Sequence, residues 1–409
     1  MNNARRPASI AVVDDLYPHP LCRENWRGVE LEAYLNHFPN MHIYTTLASR
    51  VLIDDKTVDE IMRAFVASSP SIAQRVSCHP EKMIRKIRKP DCFYFIFLNN
   101  AFSSLNLINR YRVPFIFTLY PGGGFARFNE ESDQKLEKLM SSPYFRGVVV
   151  TSSVTKEYLL EKGFCSIKKV LAVWGSIFNT SYLQTENYPK QRFGIDKSSM
   201  DIVFAAMKYT EHGEDKGYDI FVKTARELAA KASDFSFHVV GNFDESTIDV
   251  SDLKSRIHFY GVQPPSFFNE FYIDKDIFIS PNRPDVLAKG AFDGFPTGSA
   301  VDAIVRKTAA FCTDSAGNGQ NCEQYIPEQE IEIITTDVSQ IVDLVLAYHK
   351  KPEHLMEVGN AGAAKARILY SAESQITPRI HWIEKLLEEE RGNFRYRIFS
   401  GLDRGQKPA

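Results

Sequence analysis

Short, continuously apolar runs alternate with amphipathic stretches along this chain, and the alternation starts twice. In the first series Ile10–Val13, His42–Tyr44, Cys92–Phe97, Phe115–Leu119 and Val148–Thr151 read as strands. Gly28–Asn36, Thr57–Ala67, Glu130–Met140 and Val154–Lys162 read as the helices between them. A strand that is apolar on both sides must be covered on both faces, and alternating helices do this for a parallel, doubly wound sheet. The second series has strands at Ile202–Ala206, Phe235–Val240, Ile257–Tyr260, Ile277–Ser280 and Ala309–Cys312. Its helices are Asp219–Lys231, Gly298–Val305 and Val338–His349. Between the series lies the polar stretch Thr185–Lys197, which reads as an interdomain linker.

The expected organisation is a Rossmann-like domain over residues 1–185, a second over 193–377, and a C-terminal helix with a basic tail over 378–409 that returns to the first domain. Residues 353–390 are expected to be helical with an interruption at Pro378. A length of 409 residues suits two cores rather than one. Two such domains imply a ligand in the cleft between them, at the carboxyl ends of the strands.

Composition narrows the partners. The formal net charge is −2, so nothing global draws the chain to nucleic acid, and any anion site must be built locally. The six cysteines show no metal-ligand spacing and read as reduced thiols; no metal is expected. The first residues run into a strand without the apolar stretch of a signal peptide, and the longest apolar run is too short to span a bilayer. A soluble, cytoplasmic protein is the expectation. The tail from Arg391 to Ala409 reads as a frayed terminus or, alternatively, as a peripheral contact with the membrane's inner face.

Three segments concentrate the chemistry. In Lys289–Ala303 a Gly- and Pro-rich loop follows a strand and opens a helix, with Ser299 expected as N-cap and Asp302 in the capping-box place. Gly298, Ser299 and Ala300 leave the first amides unobstructed, as a diphosphate requires. In Ile202–Asp219 the loop after a strand carries Lys208 and Lys216-Gly217, a cation pair suited to charge developing on a leaving diphosphate. In Thr118–Arg127, Gly122, Gly123 and Gly124 follow a strand and permit close backbone approach. Arg23, Arg27 and Glu30 read as a surface ion-paired helix, with acceptor contact as the alternative.

Asp293-Gly-Phe-Pro followed by Val301-Asp302-Ala303 resembles the Glu-Gly-Phe…Glu-Ala motif of glycosyltransferase family 4, a retaining family with the GT-B fold. Both acids are Asp here, one residue further apart than in the family pattern. Lys208 and Lys216-Gly217 resemble the family's Arg…Lys-Gly pair, and Tyr120 stands where many members carry His. Val149–Leu159, Val239–Gly241, Phe259–Gly261 and Phe311–Asn318 resemble successive strand ends of the same family.

The resemblance implies a metal-independent, retaining, hexosyltransferase-type enzyme without a cofactor, using a nucleotide-diphosphate-sugar as co-substrate. The implied acceptor is a glycan or lipid-linked molecule, in bacterial surface polysaccharide or lipopolysaccharide synthesis. By the same resemblance Asp293 contacts the transferred sugar, Asp302 the ribose, and Lys208 and Lys216 the phosphates. Gly217, Gly294, Phe295, Thr297 and Gly298 through Ala300 complete the donor side, and Tyr120 with Gly122 through Gly124 faces it from the first domain. The alternatives are a catalytically weakened GT-B protein and a nonenzymatic two-domain sugar- or nucleotide-binding protein.

Overall fold

The computed structural model describes residues 7–79, 87–179, 187–314, 316 and 324–402, apart from the side chains of residues 52 and 392–402. Seven parallel strands form the first sheet: β1 (Ile10–Asp14), β2 (Met41–Thr45), β3 (Val76–Cys78), β4 (Cys92–Ile96), β5 (Phe115–Leu119), β6 (Phe145–Val150) and β7 (Val170–Ala172). Their order is β3-β2-β1-β4-β5-β6-β7. Six parallel strands form the second: β8 (Met200–Ala205), β9 (Phe235–Val240), β10 (Ile257–Phe259), β11 (Ile277–Ser280), β12 (Ala309–Cys312) and β13 (Glu332–Ile333). Their order is β10-β9-β8-β11-β12-β13. Each sheet is doubly wound, so connections leave in opposite directions at β1/β4 and at β8/β11 and open a crevice there.

Alternation along the strands fills both faces. Ile10 and Val12 join one core of the first sheet, with Tyr94 and Ile96 of β4, while Ala11 and Val13 join the other with Phe93 and Phe95. The second sheet divides in the same way, Ile202 and Phe204 on one face and Val203 and Ala205 on the other. The short edge strands β3, β7 and β13 add to the expected set; at two or three residues each they give little apolar pattern.

The described part of the connecting stretch is pinned to the second sheet. Lys190 Nζ donates to the Tyr272 carbonyl and to Thr308 Oγ1, both at 2.7 Å, and Lys197 pairs with Asp201 and Asp276. Near the C-terminus the helical break falls at Tyr370–Ser371 rather than at Pro378. Ser371 stops one helix and starts the next, its Oγ accepting the Ser374 N–H at 3.1 Å, and Pro378 lies inside the Ala372–Leu402 helix. That helix sends Ile376, Ile380, Ile383 and Leu387 into the core of the first sheet, and its Trp382 covers Gly147 of β6. No described helix is long and apolar enough to cross a membrane.

The Trp26–His37 helix corrects the surface reading of Arg27 and Glu30. Arg27 is 5% exposed and bonds Asp14 and Asp15 at the end of β1; Glu30 is 0% exposed. Glu30 accepts hydroxyls from Tyr34 and Tyr120, both at 3.0 Å, and from Tyr94. Burial alone disfavours the charged Arg379 guanidinium, but Tyr120, Glu30, Tyr34 and Tyr94 around it outweigh this and raise its pKa. Charged residues at helical spacing look like a solvated face in sequence; here they are the polar centre of a core. Glu30→Ala is expected to lower unfolding free energy by about 3–5 kcal/mol, read as a lower urea midpoint, since it strands a buried cation. An unchanged midpoint contradicts this role for Glu30.

Candidate functional site

A cavity of about 500 Å³ lies between the two sheets. Glu24, Asn25, Trp26 and Pro121 line it from the first. From the second come Ala206 and Met207 after β8, Asn282 after β11, and the start of the Gly298–Ile304 helix. The second-sheet wall thus sits at the β8/β11 crossover, where a doubly wound sheet opens.

Lys216 and Asp293 meet in its wall. Lys216 Nζ lies 2.7 and 2.8 Å from the two Asp293 oxygens, and Asn282 Nδ2 donates to the same carboxylate at 2.6 Å. The Lys216 side chain is 12% exposed and that of Asp293 is 30%, so the pair borders the cavity rather than open solvent. Gly217 makes this approach possible: its φ is +72°, and a Cβ there would stand 2.1 Å from the Pro281 carbonyl oxygen.

The helix cap differs from expectation. Thr297, not Ser299, is the N-cap, its Oγ1 accepting the Ala300 N–H at 3.3 Å. Thr297 has the extended backbone of an N-cap, φ −64° and ψ 158°, so the helix starts at Gly298, and Ser299 lies inside the first turn. Asp302 does not turn back to cap; it bonds Arg306 one turn on, at 3.0 Å. Burial raises the Asp302 carboxyl's pKa, and Arg306 opposes the shift. Thr297, Gly298, Ser299 and Asp302 border the cavity, while Ala300 and Phe295 are buried in the core behind it. A Cβ at Gly294 or Gly298 would meet nothing within 4 Å, so the backbone there is open.

Other sequence candidates lie outside the cavity wall. Lys208 turns away: its Nζ is 3.3 Å from Thr247 Oγ1 and its N–H donates to Asn242 Oδ1. Tyr120 is 6% exposed, and its hydroxyl is spent on Glu30; burial, then Glu30, raise its pKa. It backs Trp26 from below, the ring centroids 4.4 Å apart. Gly122, Gly123 and Gly124 all have positive φ, and Cβ atoms at Gly123 and Gly124 would strike Phe97 and Asn99. These glycines serve a tight packed turn, and it is Pro121 that reaches the cavity. Of the Phe311–Asn318 match, residues 315, 317 and 318 lie outside the described set.

Sequence reasoning missed Trp26, Asn25, Glu24 and Asn282, which fall in no motif. It also missed how the Asp293 loop is anchored. Phe292, 7% exposed, enters the first sheet's core against Phe125 at 5.8 Å, and Arg127 N–H donates to the Gly290 carbonyl at 2.9 Å.

Many solved structures share this architecture. A glycosyltransferase from Rickettsia africae ESF-5 superposes with a TM-score of 0.61 at 13% identity, over 93% of this chain and 99% of that one. Anabaena HepE, in complex with UDP and glucose, gives 0.64 at 12% identity over 93% and 99%. Sucrose-phosphate synthase from Thermosynechococcus elongatus gives 0.58 at 12% over 96% and 100%. The chain has the GT-B fold. No family model and no curated protein matches it.

Gly217→Ala is expected to cost about 2–4 kcal/mol, from a left-handed backbone and a clash with Pro281. Denaturant unfolding checks this, and a variant as stable as the parent contradicts the contact.

Proposed function

We propose that this GT-B chain is a retaining glycosyltransferase that moves a hexosyl group from a nucleotide-diphosphate-sugar to a glycan or lipid-linked acceptor. The observation that carries the reading is Lys216, held against Asp293 in a cavity between two doubly wound sheets and beside an open helix start. The HepE structure, which holds UDP and glucose in a similar fold, supports a nucleotide-sugar for this cavity. On this reading the donor side is the unit 193–377 and the acceptor side 1–185, with 378–409 returning to it.

The donor diphosphate competes with Asp293 for Lys216. A diphosphate brings more negative charge than one carboxylate, so Lys216 passes to the phosphate oxygens and frees Asp293 for the sugar hydroxyls. The amides of Gly298 and Ser299 take a further phosphate oxygen, since the Ala300 N–H is already used by Thr297. Asp302 takes the ribose hydroxyls. Lys208, on a flexible stem, swings from Thr247 to act as the second cation. As the glycosidic bond breaks, charge grows on the leaving diphosphate and Lys216 stabilises it more than the ground state. The acceptor hydroxyl attacks from the face the diphosphate leaves, and a phosphate oxygen takes its proton. No protein base, metal or cofactor is needed for that step.

The weakened-transferase reading draws support from Tyr120 and Lys208, which stand outside the cavity wall, the Tyr120 hydroxyl donating to Glu30 and Lys208 Nζ resting 3.3 Å from Thr247 Oγ1. Calorimetry and transfer assays separate the two. Lys216→Ala is expected to weaken nucleoside diphosphate binding about tenfold or more, and to lower kcat/KM by about 10² or more. Asp293→Asn removes the competing carboxylate, so the diphosphate alone binds as tightly or more tightly while sugar transfer falls. If UDP, GDP and ADP all fail to bind the parent at millimolar concentration, the donor assignment is wrong. Tight binding without transfer to any acceptor selects the weakened reading.

A further inference from the structure

The two walls of the cavity differ in chemistry, and the difference selects the acceptor. The second-sheet wall offers Lys216. On the first-sheet wall the described lining residues include no lysine or arginine. The two arginines beside it on the chain are occupied. Arg27 is 2.6 Å from Asp14 and also bonds Asp15. Arg23 donates to Glu32 at 2.6 Å and to Ser68 and Ser69, both at 2.8 Å. What this wall presents instead is an indole, Trp26, with the exposed carboxylate of Glu24 and the amide of Asn25.

The indole is held in place. Tyr120 lies under it at 4.4 Å, Phe97 meets it edge-on at 5.7 Å, and Tyr120 is itself anchored to buried Glu30. A ring fixed before binding loses little rotamer freedom on contact, so its area converts efficiently into affinity. Its π face carries partial negative charge and attracts weakly positive C–H groups. A pyranose ring has such a C–H face, with hydroxyls at its rim. A phosphorylated ligand would bring its charge next to Glu24 with no free cation among the described residues of that wall.

We propose that the acceptor residue is a neutral sugar whose apolar face stacks on Trp26 while Glu24 accepts its hydroxyls. This rests on the transferase reading and names the substrate class of its acceptor half. Trp26 is then a specificity-determining residue, and the anionic part of the reaction stays on the opposite wall.

The test is direct binding to the full chain, with and without UDP, by saturation-transfer NMR. The probes are methyl glucoside, methyl galactoside, methyl mannoside and maltose, set against glucose 6-phosphate and mannose 6-phosphate. At least one neutral glycoside is expected to bind about tenfold or more tightly than either phosphate. Trp26→Ala loses that affinity about tenfold, and Trp26→Tyr restores most of it. Glu24→Lys changes an exposed position without disturbing the core, and is expected to bring the sugar phosphates up to or beyond the neutral glycosides. Preference of the parent for sugar phosphates, binding of no neutral glycoside, or a Trp26→Ala chain with parental affinity overturns the proposal. UDP affinity of the parent, measured alongside, reads the donor assignment separately: UDP bound without any glycoside condemns the acceptor inference and leaves the donor site standing.

Discussion

A single buried carboxylate organises the first half of this molecule. Glu30 collects the hydroxyls of Tyr34, Tyr94 and Tyr120, and Tyr94 passes the network on to Thr118 at 2.6 Å. Those residues belong to the Trp26–His37 helix, to β4, and to β5 and the residue after it, and Arg379 brings in the C-terminal helix. Burying a carboxylate is costly unless it is fully hydrogen-bonded and has a counter-charge, so each of these elements must sit where it does. The cavity inherits this rigidity, because Trp26 opens the same helix and rests on one of the same tyrosines.

The second half depends on a different pairing. Lys216 and Asp293 come from separate loops, one after β8 and one after β11, and meet only because both loops leave the crossover of the sheet. The Asp293 loop is held from the other side by Phe292, buried in the first sheet's core. Any relative movement of the two sheets must therefore carry strain to the residue beside the candidate phosphate cation. In the proposed reaction this places Asp293 where donor entry and cleft closure are both felt.

The long strands were legible because parallel strands buried on both faces must be apolar throughout, and the limits of Phe235–Val240, Ile277–Ser280 and Ala309–Cys312 are the ones expected. The edge strands β3, β7 and β13 were not, since they are only two or three residues long and β13 pairs only two residues, which needs no apolar pattern. Lys216, Asp293 and Asp302 were legible through a motif and do border the cavity. The buried state of Glu30 was hidden because its partners are as far off in sequence as Tyr94 and Tyr120, and that of Arg27 because nothing in the sequence pairs it with Asp14 and Asp15 at the end of β1. Tyr120 shows the converse: its position in the motif suggested a ligand contact, but the residue is buried beneath Trp26, outside the cavity wall, and its hydroxyl donates to Glu30. Trp26 lay in no pattern, since an aromatic at a helix start reads as core until the neighbouring cavity is seen.

The central claim is where the nucleotide sits. Hydrogen–deuterium exchange of the full chain, measured with saturating UDP, GDP and ADP in turn, tests it directly. For the nucleotide that binds, slowed exchange is expected in the loop through Lys216 and Gly217 and across Asp293 to Val301, on both sides of the β8/β11 crossover. Protection confined to the first sheet, or absent from both of these loops while a nucleotide is bound, would contradict the account.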